Sequence, residues 1–179
     1  MGYIEADEEK REKFLEEIKD IDPAIIVYSD EAGVDDNEVP PKGWSEKGKR
    51  CHAKKKAERS TRYNIIAALN QNLLFAPFVF EGYSSAGVYE TYVEHVLVPA
   101  LKPGMVVIID NARFHKSKKT IELIEAAGCR IIFLPPYSPD FNPIEHFWAA
   151  IKNSIRKLAE STKDFYEATI QALAERCRA

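Results

Sequence analysis

Val106-Val107-Ile108-Ile109-Asp110-Asn111-Ala112-Arg113-Phe114-His115 opens the stretch whose reading decides the fold. The same stretch closes on Leu134-Pro135-Pro136-Tyr137-Ser138-Pro139-Asp140-Phe141-Asn142-Pro143-Ile144-Glu145-His146-Phe147-Trp148. An apolar run without alternation, ended by an acid, is the pattern of a strand buried on both faces of a sheet. It occurs once before, as Ile25-Ile26-Val27-Tyr28-Ser29-Asp30. Asp30 and Asp110 are each expected to end a strand. Glu145 is expected in the first turn of a helix, because Asn142-Pro143 supplies an N-cap residue followed by proline at the first helical position.

Downstream of Asp110, a helix is expected over 116–127, with Ile121 and Ile124 inward and Gly128 as its stop. A strand over 130–134 follows, so strand, helix and strand make a crossover between parallel strands. The proline-rich segment 135–143 can be neither helix nor central strand. Beyond it, Ile144, Phe147, Trp148, Ile151, Ile155 and Leu158 recur at helical spacing. Glu145, Lys152 and Arg156 share another face of that helix. A last helix, about 163–177, has Phe165, Ile170 and Leu173 on its apolar side.

Upstream, residues 7–20 read as a charged helix with a narrow stripe of Phe14, Leu15 and Ile18, ended at Asp22-Pro23. It is either a solvated surface helix or a linker helix from an upstream domain. The first strand spans 24–29. Residues 34–46 are rich in turn formers, with Trp44 as an anchor. Residues 62–69 and 73–80 form two strands around an Asn70-Gln71-Asn72 turn, completing an antiparallel meander with the first. Ser84 or Ser85 caps a helix over about 86–100, stopped by Pro103-Gly104; His95 is expected to pack within it. The order implies an α/β domain: a mixed five-stranded sheet, three antiparallel strands then two parallel, flanked by helices. Its boundaries are an arm over 1–23 and a domain over 24–179. Ligand sites of such sheets gather at the C-terminal ends of parallel strands, where Asp30 and Asp110 fall.

The chain has 179 residues, enough for a full core in one domain. No apolar run approaches the ~20 residues that cross a bilayer, and the N-terminus is charged rather than signal-like. A cytoplasmic protein without membrane contact is expected. Cys51, Cys129 and Cys177 have no metal spacing and read as reduced thiols. His52, His95, His115 and His146 have no zinc spacing, and there is no nucleophilic serine or cysteine motif, P-loop or dinucleotide fingerprint. The net charge of −3 by itself argues against nucleic acid. Its distribution argues otherwise: residues 1–40 carry net −10, residues 41–62 net +7, and residues 63–179 net zero. Local basic charge is what phosphates require. The basic stretch is read either as a solvated face or as a phosphate track through Lys49, Arg50, Lys54, Lys55, Lys56, Arg59 and Arg62, assisted by Lys152 and Arg156.

Each acid taken singly has an ordinary reading. Aspartate after a strand is commonly a turn residue, and glutamate in a first helical turn complements the helix dipole. Three acids at two strand tips and one helix start carry a different implication. Mg²⁺ and Mn²⁺ take hard oxygen ligands, and a pair of such ions activates one oxygen and stabilises another in phosphodiester chemistry. Asp30 would bridge two ions, with Asp110 and Glu145 each holding one side. Without metal, three close carboxylates should raise one another's pKa. Glu31 should point to the opposite face of its strand, and Asp140 belongs to the proline loop. Glu31, Asn111, His115 and His146 could support the acids from behind.

Tyr28-Ser29-Asp30-Glu31, Asp110 to His115 and Pro135 to Trp148 resemble the catalytic blocks of DDE transposases of the mariner-type superfamily, in its bacterial insertion-sequence branch. Thirty-four residues separate Asp110 from Glu145, a spacing that branch uses. Gly33, Trp44 and Arg62 also fall where such proteins carry similar residues. The resemblance covers roughly 24–158 and implies a ribonuclease H-like fold and Mg²⁺ or Mn²⁺ held by Asp30, Asp110 and Glu145. It further implies cleavage at element ends, joining of the 3′-OH to target DNA at a TA dinucleotide, a homodimer on DNA, and action at the bacterial nucleoid. Relatives carry an upstream helix-turn-helix domain; with about 23 residues before the first strand, a separate reading domain or chain is expected. Two other readings stay open: a catalytically silent module that binds DNA or a transposase, and a ribonuclease H-like housekeeping nuclease.

Overall fold

The computed structural model describes residues 7–36, 45–50, 61–162 and 164–177. One five-stranded sheet carries the chain, in the spatial order β3-β2-β1-β4-β5. Its strands are β1 (Ile26–Asp35), β2 (Arg62–Asn70), β3 (Leu73–Glu81), β4 (Val106–Ile109) and β5 (Arg130–Phe133). β1, β2 and β3 pair antiparallel, whereas β4 runs parallel to β1 and β5 parallel to β4. This is the mixed sheet expected from the strand order.

Gln71 and Asn72 turn the β2–β3 hairpin with both φ values positive, the mirror-image turn whose twist matches that of the strands. Further along, Ala76 and Pro77 together oppose Ala67, and Ala76 takes φ 50° to absorb the extra residue.

Helices cover both faces. One carries α5 (Ile144–Ser161) and α6 (Phe165–Ala174), packed through Ile144, Trp148, Ile151 and Ile155 against Ala32, Val34, Ile65 and Ala67. The other carries α2 (Ala86–Tyr92), which continues through a wide turn (Val93–Leu97) into α3 (Val98–Ala100), and α4 (Lys118–Ala126). Here Tyr89, Tyr92, Leu97 and Ile124 meet Val27, Ile66, Val107 and Ile109. The wide turn has a local cause. Pro99 has no N–H for the helical ladder, and Val98 N–H bonds back five residues to Val93 O.

Four expectations need correction. Strand β1 does not end at Asp30; its ladder with β2 runs on to Asp35 opposite Arg62. What ends beside Asp30 is the partner β4, whose last register pair with β1 is Ser29 with Ile109. Asn142 does not cap α5 with its side chain, although Pro143 has helical dihedrals as expected. His95 is exposed, and α6 turns Ala168, Thr169, Ala172 and Leu173 inward while Ile170 stays exposed.

The charged N-terminal helix α1 (Glu8–Ile18) is packed, not merely solvated. Phe14 is buried beside Ile26, Val106, Ile132 and Leu134, and its ring stacks on Phe141 with centroids 5.5 Å apart. Arg11 binds Asp140 through both terminal nitrogens, at 2.7 and 3.0 Å, donates to Ser138 Oγ, and lies 4.0 Å over the Phe141 ring.

Candidate active site

Register and side-chain alternation put two of the acids on one face. Ser29 pairs with Ile109, so Asp30 and Asp110 occupy the next position on neighbouring parallel strands, about 5 Å apart along the hydrogen-bonding direction. Both have the parity of residues that face α5 or α1: Tyr28 and Ala32 in β1, Val106 and Ile108 in β4. The first turn of α5 supplies Glu145 over the same edge. Asp30, Asp110 and Glu145 together line a cleft of about 660 Å³, walled by Asn111, Arg113 and the Leu134–Pro139 segment.

Asp30 is buried, with 7% of its surface exposed. Trp148 Nε1–H donates to its Oδ2 at 3.0 Å. Burial pushes its carboxyl up to about 7, against the pull of the Glu31 backbone N–H and the indole N–H. The charges of Glu145 and Asp110 raise it further. The expected mutual elevation is met at Asp30 alone, and there burial is the larger cause; Asp110 is shifted the other way.

Asp110 has a different setting. Its Oδ1 accepts the Ala112 N–H at 2.9 Å and the Nδ1–H of His115. A carboxylate can only accept, so the proton of that pair lies on Nδ1. Burial raises the Asp110 carboxyl, but the His115 bond and the backbone N–H outweigh it and leave the group below its ordinary value. His115 is fully buried, its ring 4.0 Å from that of Tyr89 and 4.1 Å from that of Phe114 by centroids. This aromatic cage fixes the imidazole, and the imidazole fixes Asp110.

Of the other expected site residues, Asn111 lines the cleft, whereas His146 is exposed on α5. Glu31 has the opposite strand parity to Asp30, and its Oε2 is buried without a hydrogen-bond partner among the described residues. Lys49 and Arg50 are exposed, with Lys49 paired to Glu46. Arg62 reaches Asp35 at 3.8 Å and covers the Cα of Gly33. Lys152 and Arg156 are half-buried on α5, away from the lining of the cleft. Trp44, Cys51, His52, Lys54, Lys55, Lys56 and Arg59 lie outside the described residues.

The sequence reading missed three contributors. Trp148 was assigned to the core by its spacing; its ring is there, but its N–H serves Asp30. Arg113 lines the cleft and could have been noticed as a cation three residues after the acid. Asn142 is 4% exposed and also lines the cleft, with Oδ1 unpartnered among the described residues.

Carboxylate oxygens are the hard donors that Mg²⁺ and Mn²⁺ prefer. Asp30 is held up chiefly by burial and further by two neighbouring carboxylates, and a cation would offset both. Among the described residues, however, no three His, Cys, Asp or Glu side chains are drawn together as a ready metal cluster. The donor types fit a divalent ion; the side chains are not closed around one.

Residues 25–167 match the family described as DDE superfamily endonuclease. The chain belongs to that family. The comparison with curated proteins found no match. Among solved structures, the chain is similar to the Mos1 strand transfer complex, with TM-score 0.64, 16% identity, 92% of this chain and 56% of that chain covered. It is similar to the Mos1 mariner paired-end complex with Mn, with TM-score 0.62, 18% identity and 94% and 58% covered. It also resembles the catalytic domain of Mos1 mariner transposase, with TM-score 0.53, 18% identity and 94% and 86% covered. The fold is thus ribonuclease H-like, as the DDE resemblance implied, and the chain spans somewhat over half of the longer Mos1 chains. No helix among the described residues is long and apolar enough to cross a membrane.

Proposed function

We propose that this DDE endonuclease domain cleaves a DNA strand at the end of a mobile element and joins the freed 3′-OH to target DNA. The observation that carries the reading is the convergence of Asp30, Asp110 and Glu145 on one cleft at the sheet edge. In this reading they would be the ligands of Mg²⁺ or Mn²⁺, with two ions per site. Such ions would activate the attacking oxygen and stabilise the leaving one. The Mn named for the similar Mos1 complex supports the choice of metal.

The residues of this chain have distinct parts. Asp110 is held ionised and oriented by His115 and the Ala112 N–H, so it meets a cation preformed. Asp30 must lose a proton to bind, and Trp148 keeps its Oδ2 aimed while that happens. Glu145 is exposed on the first turn of α5, from which it would complete the set. Arg113 offers a cation to the phosphate at the mouth of the cleft. The phosphate track over Lys49, Arg50, Lys54, Lys55, Lys56, Arg59 and Arg62, with Lys152 and Arg156, belongs to the same proposal. So do a TA target, a homodimer on DNA, a separate end-reading domain or chain, and a cytoplasmic, nucleoid-associated site of action.

The test is Asp110→Asn in a cleavage assay on element-end DNA with Mn²⁺. The unaltered chain should nick, and the variant should lose at least about a hundredfold in rate, since losing even a partner behind a metal ligand costs roughly 10–100-fold. Equal activity of the two refutes the assignment. The absence of a ready metal cluster among the described residues favours one second reading, a silent module that binds DNA or another transposase chain. Mn²⁺ titration separates them: that reading requires no binding at Asp30 and Asp110.

A further inference from the structure

The acid-rich helix α1 sorts its charges by face. Lys10, Lys13, Phe14 and Glu17 recur at spacings of three and four, so they form one stripe. Arg11, Phe14 and Ile18 form the adjoining stripe toward the core and the proline loop. Glu9, Glu12 and Glu16 lie on the far side. The net negative charge of this region therefore does not describe the surface that α1 turns toward the sheet edge.

That surface is one wall of a groove of about 190 Å³. Lys10 and Lys13 rise from α1, and Lys116 from the turn after Asp110, its Nζ 5.1 Å from the centroid of the Phe133 ring. The acid among the described lining residues, Glu17, is already bound to Arg130. The groove is not isolated: Asn111, Leu134, Pro135 and Pro136 line both it and the carboxylate cleft. It is smaller than the ~300 Å³ at which small-molecule pockets begin, and it is open along its length. Lysine ammonium groups along a shallow apolar floor suit a chain of phosphates rather than an enclosed ligand.

We propose that this groove binds the phosphodiester backbone of the DNA strand that enters the carboxylate cleft, with Lys13 and Lys116 contacting successive phosphates. Lys10, tied to Asp7 at 2.7 Å, flanks them. The proposal rests on the DNA-cutting reading of the cleft and adds the direction in which the strand leaves it: past Asn111 and the Pro135–Pro136 rim, along α1. It also gives α1 a part in substrate binding.

The test compares the unaltered chain with Lys13→Ala/Lys116→Ala and Lys13→Arg/Lys116→Arg, binding a fluorescein-labelled duplex of arbitrary sequence with Ca²⁺ present. Each lost phosphate contact should flatten the slope of log affinity against log salt by about 0.9, so the alanine pair should flatten it by about 2. Between ~50 and ~200 mM salt the fall in affinity should shrink about tenfold. The arginine pair should restore the slope, which separates lost charge from misfolding. A slope unchanged in the alanine pair, with the unaltered chain binding normally, overturns the groove and leaves the cleft assignment standing. No binding by the unaltered chain overturns both.

Discussion

Replacing Asp30 by asparagine should make the metal-free protein more stable while abolishing its response to Mn²⁺. The magnitude follows from the site. Burial and the neighbouring carboxylates raise Asp30 from 3.8 to about 7. Each unit is ~1.4 kcal/mol of preference for the neutral form, so keeping the site populated at neutral pH costs about 4 kcal/mol relative to a neutral side chain. Asparagine can still accept from Trp148 Nε1, but its amide group cannot accept the second hydrogen bond, a loss of about 1 kcal/mol. The net expectation is a gain of about 3 kcal/mol at about pH 8, equivalent to a rise of roughly 6–12 °C in Tm for a chain of this size.

The sign with pH is fixed by linkage. The folded-state pKa lies above the unfolded value, so stability is full below about pH 4 and is lost as pH rises toward about 7. The advantage of Asp30→Asn should therefore be large at about pH 8 and vanish near about pH 3. Thermal unfolding in EDTA across this range is the assay. Adding Mn²⁺ should then raise the Tm of the unaltered chain and leave the variant unmoved. A variant no more stable than the unaltered chain at high pH would refute the strained-carboxylate argument. So would an advantage that persists undiminished in acid.

Further expectations concern the residues around the acids. Trp148→Phe keeps an aromatic ring in the core but deletes the donor to Asp30 Oδ2; it should cost about 2 kcal/mol in a denaturant melt and weaken Mn²⁺ binding by calorimetry. Arg11→Ala removes the paired bonds to Asp140 and the contact over Phe141; it should lower the Tm in thermal unfolding and speed proteolysis within 135–141. Ile151→Ala empties a fully buried position between α5 and the sheet, so a loss of 2–5 kcal/mol, about the usual range, is expected in the same melt.

Much of this architecture was legible because β1 and β4 each carry an unbroken apolar run that leads into an acid. The meander was equally plain, since two apolar runs flank Asn70-Gln71-Asn72 and asparagine tolerates the positive φ that the turn needs. The end of β1 was misplaced for a physical reason. Asp30, Glu31, Gly33 and Asp35 are poor strand formers, and only the continuing ladder from β2 holds them extended. His115 was picked out by its nearness to Asp110, but neither Asp30's indole donor nor the caging that holds the imidazole could be read from local pattern alone. The first joins residues 118 positions apart, and the second depends on how Tyr89 and Phe114 cage a ring. The docking of α1 was hidden likewise, because Arg11 and Asp140 are 129 residues apart and each looks like an ordinary surface charge. Asn142 met the rule for an N-cap, yet its carbonyl rather than its side chain accepts at the start of α5.

The most direct test is a crystal of the unaltered chain soaked in Mn²⁺, read by anomalous scattering. Peaks bounded by the side chains of Asp30, Asp110 and Glu145 are expected, and they should disappear in Asp110→Asn. Manganese bound elsewhere on the chain, with those three carboxylates free of it, would contradict the account.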